Sequence, residues 1–110
     1  MKKDPMSFSM DLFSCKDKVI MITGANQGLG MVYAIALAKA GADIFIPHFT
    51  DDIAGVKEAV EGLGRRVGFL QGDLNDADYR QRCVDACMAQ FGRIDVLINN
   101  AGINFAAPLI

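Results

Sequence analysis

The sequence predicts an α/β fold built as a doubly wound parallel sheet, and three observations carry that prediction. Short apolar runs rich in β-branched residues recur along the chain, as expected of strands buried on both faces. Between them lie segments with apolar residues at helical spacing, each followed by a glycine suited to a helix C-terminus. Strict alternation of the two is what a parallel sheet with crossover helices requires. Right-handed crossovers then place ligands at the carboxyl ends of the strands.

The elements follow in order. Val19 to Ile22 is the first strand. Leu29 to Ala40 is a helix, with Leu29, Tyr33, Ala36, Leu37 and Ala40 as its stripe and Gly41 at its cap. Asp43 to Ile46 is a second strand, stopped by Pro47. Thr50 or Asp51 suits the cap of a second helix, whose Ile53, Val56, Val60 and Leu63 form one face before Gly64. Arg66 to Leu70 reads as the third strand. A third helix starts at Asn75 or Asp76, carries Tyr79, Cys83, Cys87 and Phe91 four apart, and closes at Gly92. Ile94 to Ile98 is the fourth strand. Four strands and three helices make the N-terminal half of such a fold.

Composition narrows the function classes. At 110 residues, 52% apolar and 22% charged, the chain reads as one globular domain or part of one. A net charge of −2 gives no footprint for nucleic acid, and Arg65-Arg66 is the only basic pair in the body of the chain. No apolar stretch approaches the ~20 residues that span a bilayer, so no membrane partner is expected. Asp4, Pro5 and Asp11 interrupt any signal-peptide core. Cys15, Cys83 and Cys87 show no metal or CxxC spacing, which points to a reducing cytoplasm. Residues 1–12 read as a flexible lead-in and residues 13–110 as the folded part.

The stretch Thr23-Gly24-Ala25-Asn26-Gln27-Gly28-Leu29-Gly30 lies where the first strand passes into the first helix. A turn there needs backbone angles that glycine adopts cheaply, and a diphosphate can approach only where no Cβ intervenes. The helix that follows directs its free N–H groups and positive dipole end at the same spot. The spacing is G-x-x-x-G-x-G, neither the G-x-G-x-x-G fingerprint nor a P-loop.

This stretch resembles the TGxxxGxG cofactor motif of the short-chain dehydrogenase/reductase family, a Rossmann-type fold. Asn99-Asn100-Ala101-Gly102 resembles that family's NNAG motif, and Asp73-Leu74 stands where the family contacts adenine. The resemblance runs from Phe13 onward, and "YAIALAKAGADIF" and "NNAGINFAAPL" look most like the gluconate and deoxygluconate dehydrogenases. It implies that Gly24, Asn26, Gln27, Gly28, Leu29 and Gly30 lie against the pyrophosphate and adenosine ribose. Asp73 would accept from the adenine amino group, backed by Leu74. Asn100, Ala101 and Gly102 would line the adenosine side, with the Asn pair tying the central strands together.

The acid that bonds the ribose 2′-hydroxyl in NAD enzymes belongs at the end of the second strand. His48 stands there, followed by Phe49, with neither that acid nor the arginine that marks NADP. Asp51 and Asp52 nearby would repel a 2′-phosphate, so NAD is preferred over NADP. His48 itself reads as a partly exposed ring beside the adenosine pocket, not a catalyst. Cys83 and Cys87 read as small buried groups.

Family chemistry is hydride transfer between nicotinamide and a hydroxyl or carbonyl carbon, using a tyrosine, a lysine four residues later and a serine. Leu37 follows Tyr33 and Cys83 follows Tyr79 at that spacing, and Ser7, Ser9 and Ser14 all precede the first strand. No catalytic residue is therefore expected here, and no metal site. The fourth strand would also present an apolar edge unless a further strand covers it. Two readings stand. In one, the chain is part of an NAD(P)-dependent oxidoreductase, a homo-oligomer (a tetramer) at full length, with its small-molecule substrate bound by the other half. In the other, it is a truncated, inactive nucleotide-binding or interaction module.

Overall fold

The computed structural model describes residues 14–100. β1 is Val19–Ile22, α1 Gly28–Lys39, β2 Asp43–His48, α2 Ala54–Gly62, β3 Val67–Gln71, α3 Ala77–Phe91 and β4 Val96–Ile98. The four strands form one parallel sheet in the order β3-β2-β1-β4. This is the doubly wound α/β arrangement that the alternation of elements predicts. The chain steps outward from β1 to β3, then returns to the far side of β1. That reversal places the switch point between β1 and β4, where such sheets hold ligands.

Two apolar layers sandwich the sheet. Ile20, Ile22, Ile44 and Ile46 face α1 and α2, meeting Ala34, Ala38, Val56 and Val60. Val19, Met21 and Phe45 face α3 and meet Tyr79, Cys83 and Cys87. Every residue of β1 and β2 is buried, which is why both read as unbroken apolar runs rather than alternating ones. Cys83 and Cys87 are core groups, as expected.

Several boundaries differ from the sequence reading. β2 does not stop at Pro47. Pro47 pairs in register with Leu70, and its carbonyl accepts the Gly24 amide at 2.8 Å. β1 has already turned away into the glycine loop there, so the donor that proline lacks interrupts no continuing ladder. β4 is shorter than expected, starting at Val96, and just before it Asp95 accepts the Val19 amide on its carboxylate at 2.8 Å. Neither Thr50 nor Asp51 caps α2, which begins after Ile53 with no side-chain cap. Asp76 does cap α3, accepting from the Asp78 amide, and Gly92 closes that helix with φ +79°.

The largest correction concerns α1. Its buried residues are Gly30, Ala34 and Ala38, whereas Leu29 and Val32 are 56% and 59% exposed and Tyr33 is also exposed. The stripe facing the sheet is the smallest one on the helix. It lets α1 lie close against the sheet, where its buried Ala34 and Ala38 meet Ile20, Ile22, Ile44 and Ile46.

At the opposite edge, Asp43 opens β2 with its carboxylate buried. It accepts from the Arg66 amide at 2.9 Å and from the Arg66 guanidinium at 3.0 and 2.7 Å, and pairs with Arg65 at 3.0 Å. Burial acts to raise this carboxyl's pKa. The Arg66 hydrogen bonds and both guanidinium charges outweigh it and hold the group below its ordinary value.

Candidate nucleotide site

A cleft of about 910 Å³ opens at the carboxyl ends of the strands. The glycine loop and start of α1 supply Gly24, Asn26, Gln27, Gly28 and Leu29, while His48, Phe49 and Thr50 come from the end of β2. Gly72, Asp73, Leu74 and Asn75 follow β3, and Asn99 and Asn100 follow β4. Four separate loops thus converge on one cavity. Ala101 and Gly102, also expected here, lie outside the described residues.

The loop geometry explains the glycines. Gly24 and Gly28 have φ of +67° and +61°, a region that L side chains adopt only at a cost. A Cβ on Gly28 would meet nothing within 4 Å, so the space beside it is open. Gly30 is the reverse case. A Cβ there would lie 2.4 Å from Asn100 Nδ2 and 2.9 Å from both Ala25 Cα and the Gly24 carbonyl. Gly30 therefore lets the helix close onto the loop, and Gly28 leaves room for a ligand.

The N-terminus of α1 is left uncapped. Gln27 occupies the N-cap without a side-chain hydrogen bond, and the first turn holds no acid. The first amides of a helix have no acceptor within it, so these donors and the dipole favour an anion. An open backbone cradle beside uncapped donors fits a diphosphate. Gly30, counted with the ligand-binding set from sequence, does not line the cleft and instead shapes it from behind.

Asn26 holds the two rims together. Its amide donates to Thr50 Oγ1 at 2.8 Å and to the Asp52 carbonyl at 2.9 Å, and the residue is buried. Thr50 thus serves the clamp, and α2 starts too late for it to cap, with Ile53 at the N-cap. Truncating Asn26 to alanine is expected to cost about 2 kcal/mol, two net hydrogen bonds, measured by urea denaturation of the polypeptide that carries these residues.

The other cleft residues are similarly fixed. Asp73 is exposed, and its Oδ1 accepts the Asn75 amide at 2.9 Å. Asn99 Oδ1 accepts from Thr23 Oγ1 at 3.1 Å, tying β4 to β1 as expected of the Asn pair. Phe49 is 72% exposed. His48 is not the partly exposed ring predicted, because the residue is only 6% exposed. Its Nδ1 lies 2.6 Å from the Thr50 carbonyl, and its ring meets Phe69 edge-on.

Neither tyrosine stands ready for proton transfer. Tyr79 is buried beneath β3 and donates its hydroxyl to the Leu70 carbonyl, and burial raises its pKa above the ordinary value. Tyr33 lies on α1 outside the cleft lining. Among the described residues no cluster of His, Cys, Asp or Glu has the arrangement of a metal site. Nor is any helix among them long and apolar enough to cross a membrane.

Sequence reasoning did not single out Gly72, Thr50 or Asn75 as cleft residues. Gly72 had a physical reason to be glycine, since a Cβ would fall 2.3 Å from the Tyr79 ring. That contact joins a loop to a helix and leaves no local sequence signal.

The family model for short chain dehydrogenases matches residues 18–109. The chain belongs to the short-chain dehydrogenase/reductase family. It is 48% identical over 97 residues to the uncharacterized oxidoreductase YgcW of Escherichia coli, a match covering 88% of this chain and 37% of that protein. A 2-dehydro-3-deoxy-D-gluconate 5-dehydrogenase of Dickeya dadantii is 37% identical over 94 residues, covering 86% of this chain and 37% of that protein. The fold matches the crystal structure of carveol dehydrogenase from Mycobacterium avium in complex with NAD, with a TM-score of 0.72 and 30% identity, over 78% of this chain and 36% of that one. The chain thus spans little more than a third of the length of these short-chain dehydrogenases. Members of the family are oxidoreductases that bind NAD(P).

Proposed function

We propose that these residues form the adenosine and diphosphate half of an NAD site in an oxidoreductase. The reaction is hydride transfer between the nicotinamide and a secondary alcohol or ketone, with a sugar acid as the substrate class. The observation that carries the reading is the pairing of an open backbone at Gly28 with the uncapped N-terminus of α1 in one cleft. Backbone amides from Gln27 to Leu29 would hold the diphosphate, Asp73 the adenine amino group, and Asn100 with Ala101 and Gly102 the adenosine side. The bound NAD supplies the hydride acceptor, and this chain's residues bind and orient it.

The NAD complex of the carveol dehydrogenase supports NAD, and the Dickeya relative supports the sugar-acid class. The proton-transfer tyrosine, its lysine and the serine belong to a further part of the polypeptide in this reading. A cytoplasmic homo-oligomer is the proposed setting, in keeping with the absence of metal or CxxC spacing among its three cysteines.

Calorimetric titration of the polypeptide that carries these residues with NAD tests the reading. Replacing Asp73 with alanine is expected to weaken NAD about tenfold, the loss of one hydrogen bond to a charged group. Equal binding by the variant removes Asp73 from the site. Absence of any binding by the parent overturns the proposal.

A further inference from the structure

We propose that the imidazole of His48 takes the place of the ribose-binding acid, its Nε2 accepting the adenosine 2′-hydroxyl and so selecting NAD over NADP. The inference rests on the dinucleotide reading above. His48 ends β2 and lines the cleft, where doubly wound sheets place the group that reads the ribose.

The tautomer follows from its partner. A carbonyl can only accept, so the 2.6 Å contact with the Thr50 oxygen puts the proton on Nδ1. In the neutral ring Nε2 then carries the lone pair. Nε2 has no hydrogen-bond partner among the described residues, yet the one buried side-chain nitrogen or oxygen without a partner among them is Arg65 Nε. His48 Nε2 is therefore open to solvent, although the residue as a whole is only 6% exposed. His48 lines the cleft, and in the proposed arrangement that nitrogen turns toward it.

The ring is also held in place. Phe69 meets it edge-on at 5.8 Å, and the Thr50 carbonyl that fixes its tautomer sits in the loop clamped by Asn26. Asn26 is thus a positioning residue for His48. A 2′-phosphate would set acceptor oxygens against an acceptor lone pair. Among the described residues no lysine or arginine lines the cleft to offset this, and Asp51 and Asp52 follow in the same loop.

The test compares NAD, its analogue lacking the adenosine 2′-hydroxyl, and NADP on the full polypeptide that carries these residues. The parent is expected to bind NAD about three- to tenfold tighter than the deoxy analogue, the range of one neutral hydrogen bond, and to bind NADP more weakly still. His48→Phe keeps the ring and its packing but should bind NAD and the deoxy analogue equally. His48→Gln, whose amide oxygen still accepts, should retain the difference. Equal affinities of the parent for NAD and the deoxy analogue would overturn the assignment with no variant needed. So would a parental preference for NADP, or a His48→Phe protein that still discriminates. Each of these leaves the dinucleotide reading standing, whereas binding of none of the three sinks both.

Discussion

Alanine at Gly30 is expected to abolish useful nucleotide binding, even though it adds a single methyl group. The new Cβ would fall 2.4 Å from Asn100 Nδ2 and 2.9 Å from the backbone of Gly24 and Ala25. The asparagine can swing aside, but the backbone contacts yield only if α1 lifts from the loop. A stability loss of about 3 kcal/mol, at the upper end for overpacking, should accompany it. NAD affinity should fall about 100-fold as the helix amides move off the cradle, roughly that same energy expressed as binding. Gly28→Ala is the contrasting case, because its Cβ meets nothing. It should cost about 1 kcal/mol for the left-handed backbone while still obstructing the cleft. Thermal melts and NAD titration of the two variants side by side separate a steric effect on the fold from one on the ligand. Equal stability of Gly30→Ala and its parent would refute the packing argument.

The second large effect lies far from the cleft. Asp43→Ala leaves the Arg66 amide and two guanidinium groups without their common acceptor at the start of β2. The expected cost is about 3 kcal/mol, the lower end for breaking a buried pair, because the Arg66 side chain is largely exposed. Asp43→Asn gives the pH signature. The folded carboxyl lies below its ordinary value of 3.8, so the unfolded chain binds its proton first as pH falls. Its contribution to stability is complete above about pH 4 to 5 and is lost as pH drops through the lower, folded value. The asparagine variant should therefore be less stable at neutral pH and lose less on acidification below pH 4. Urea midpoints measured from pH 7 to pH 3 check this, and parallel curves for the two proteins would contradict it.

Much of this molecule is legible in its sequence. β1 and α3 have bounds close to those predicted, because burial on both sheet faces and a four-residue apolar repeat leave strong local patterns. The TGxxxGxG, Asp-Leu and Asn-Asn stretches do converge on one cleft. The failures share a cause. The buried stripe of α1 was missed because glycine and alanine carry little apolar signal, while the conspicuous Leu29, Val32 and Tyr33 face outward. Pro47 looked like a stop because sequence does not show that the neighbouring strand has already turned away. Gly72 and Thr50 serve the cleft through contacts with Tyr79 and Asn26, residues distant in sequence or on another loop. Such pairings exist only once the fold is assembled.

The junction after β4 has one more implication. Thr23 gives its backbone amide to the Ile98 carbonyl and its hydroxyl to Asn99, and Asn100 reaches the Gly24 carbonyl. These bonds make the exit of β4 and the glycine loop a single benchmark. The place where β4 ends is thus set relative to the glycine loop by three bonds between Thr23-Gly24 and Ile98 to Asn100, so neither can shift without the other.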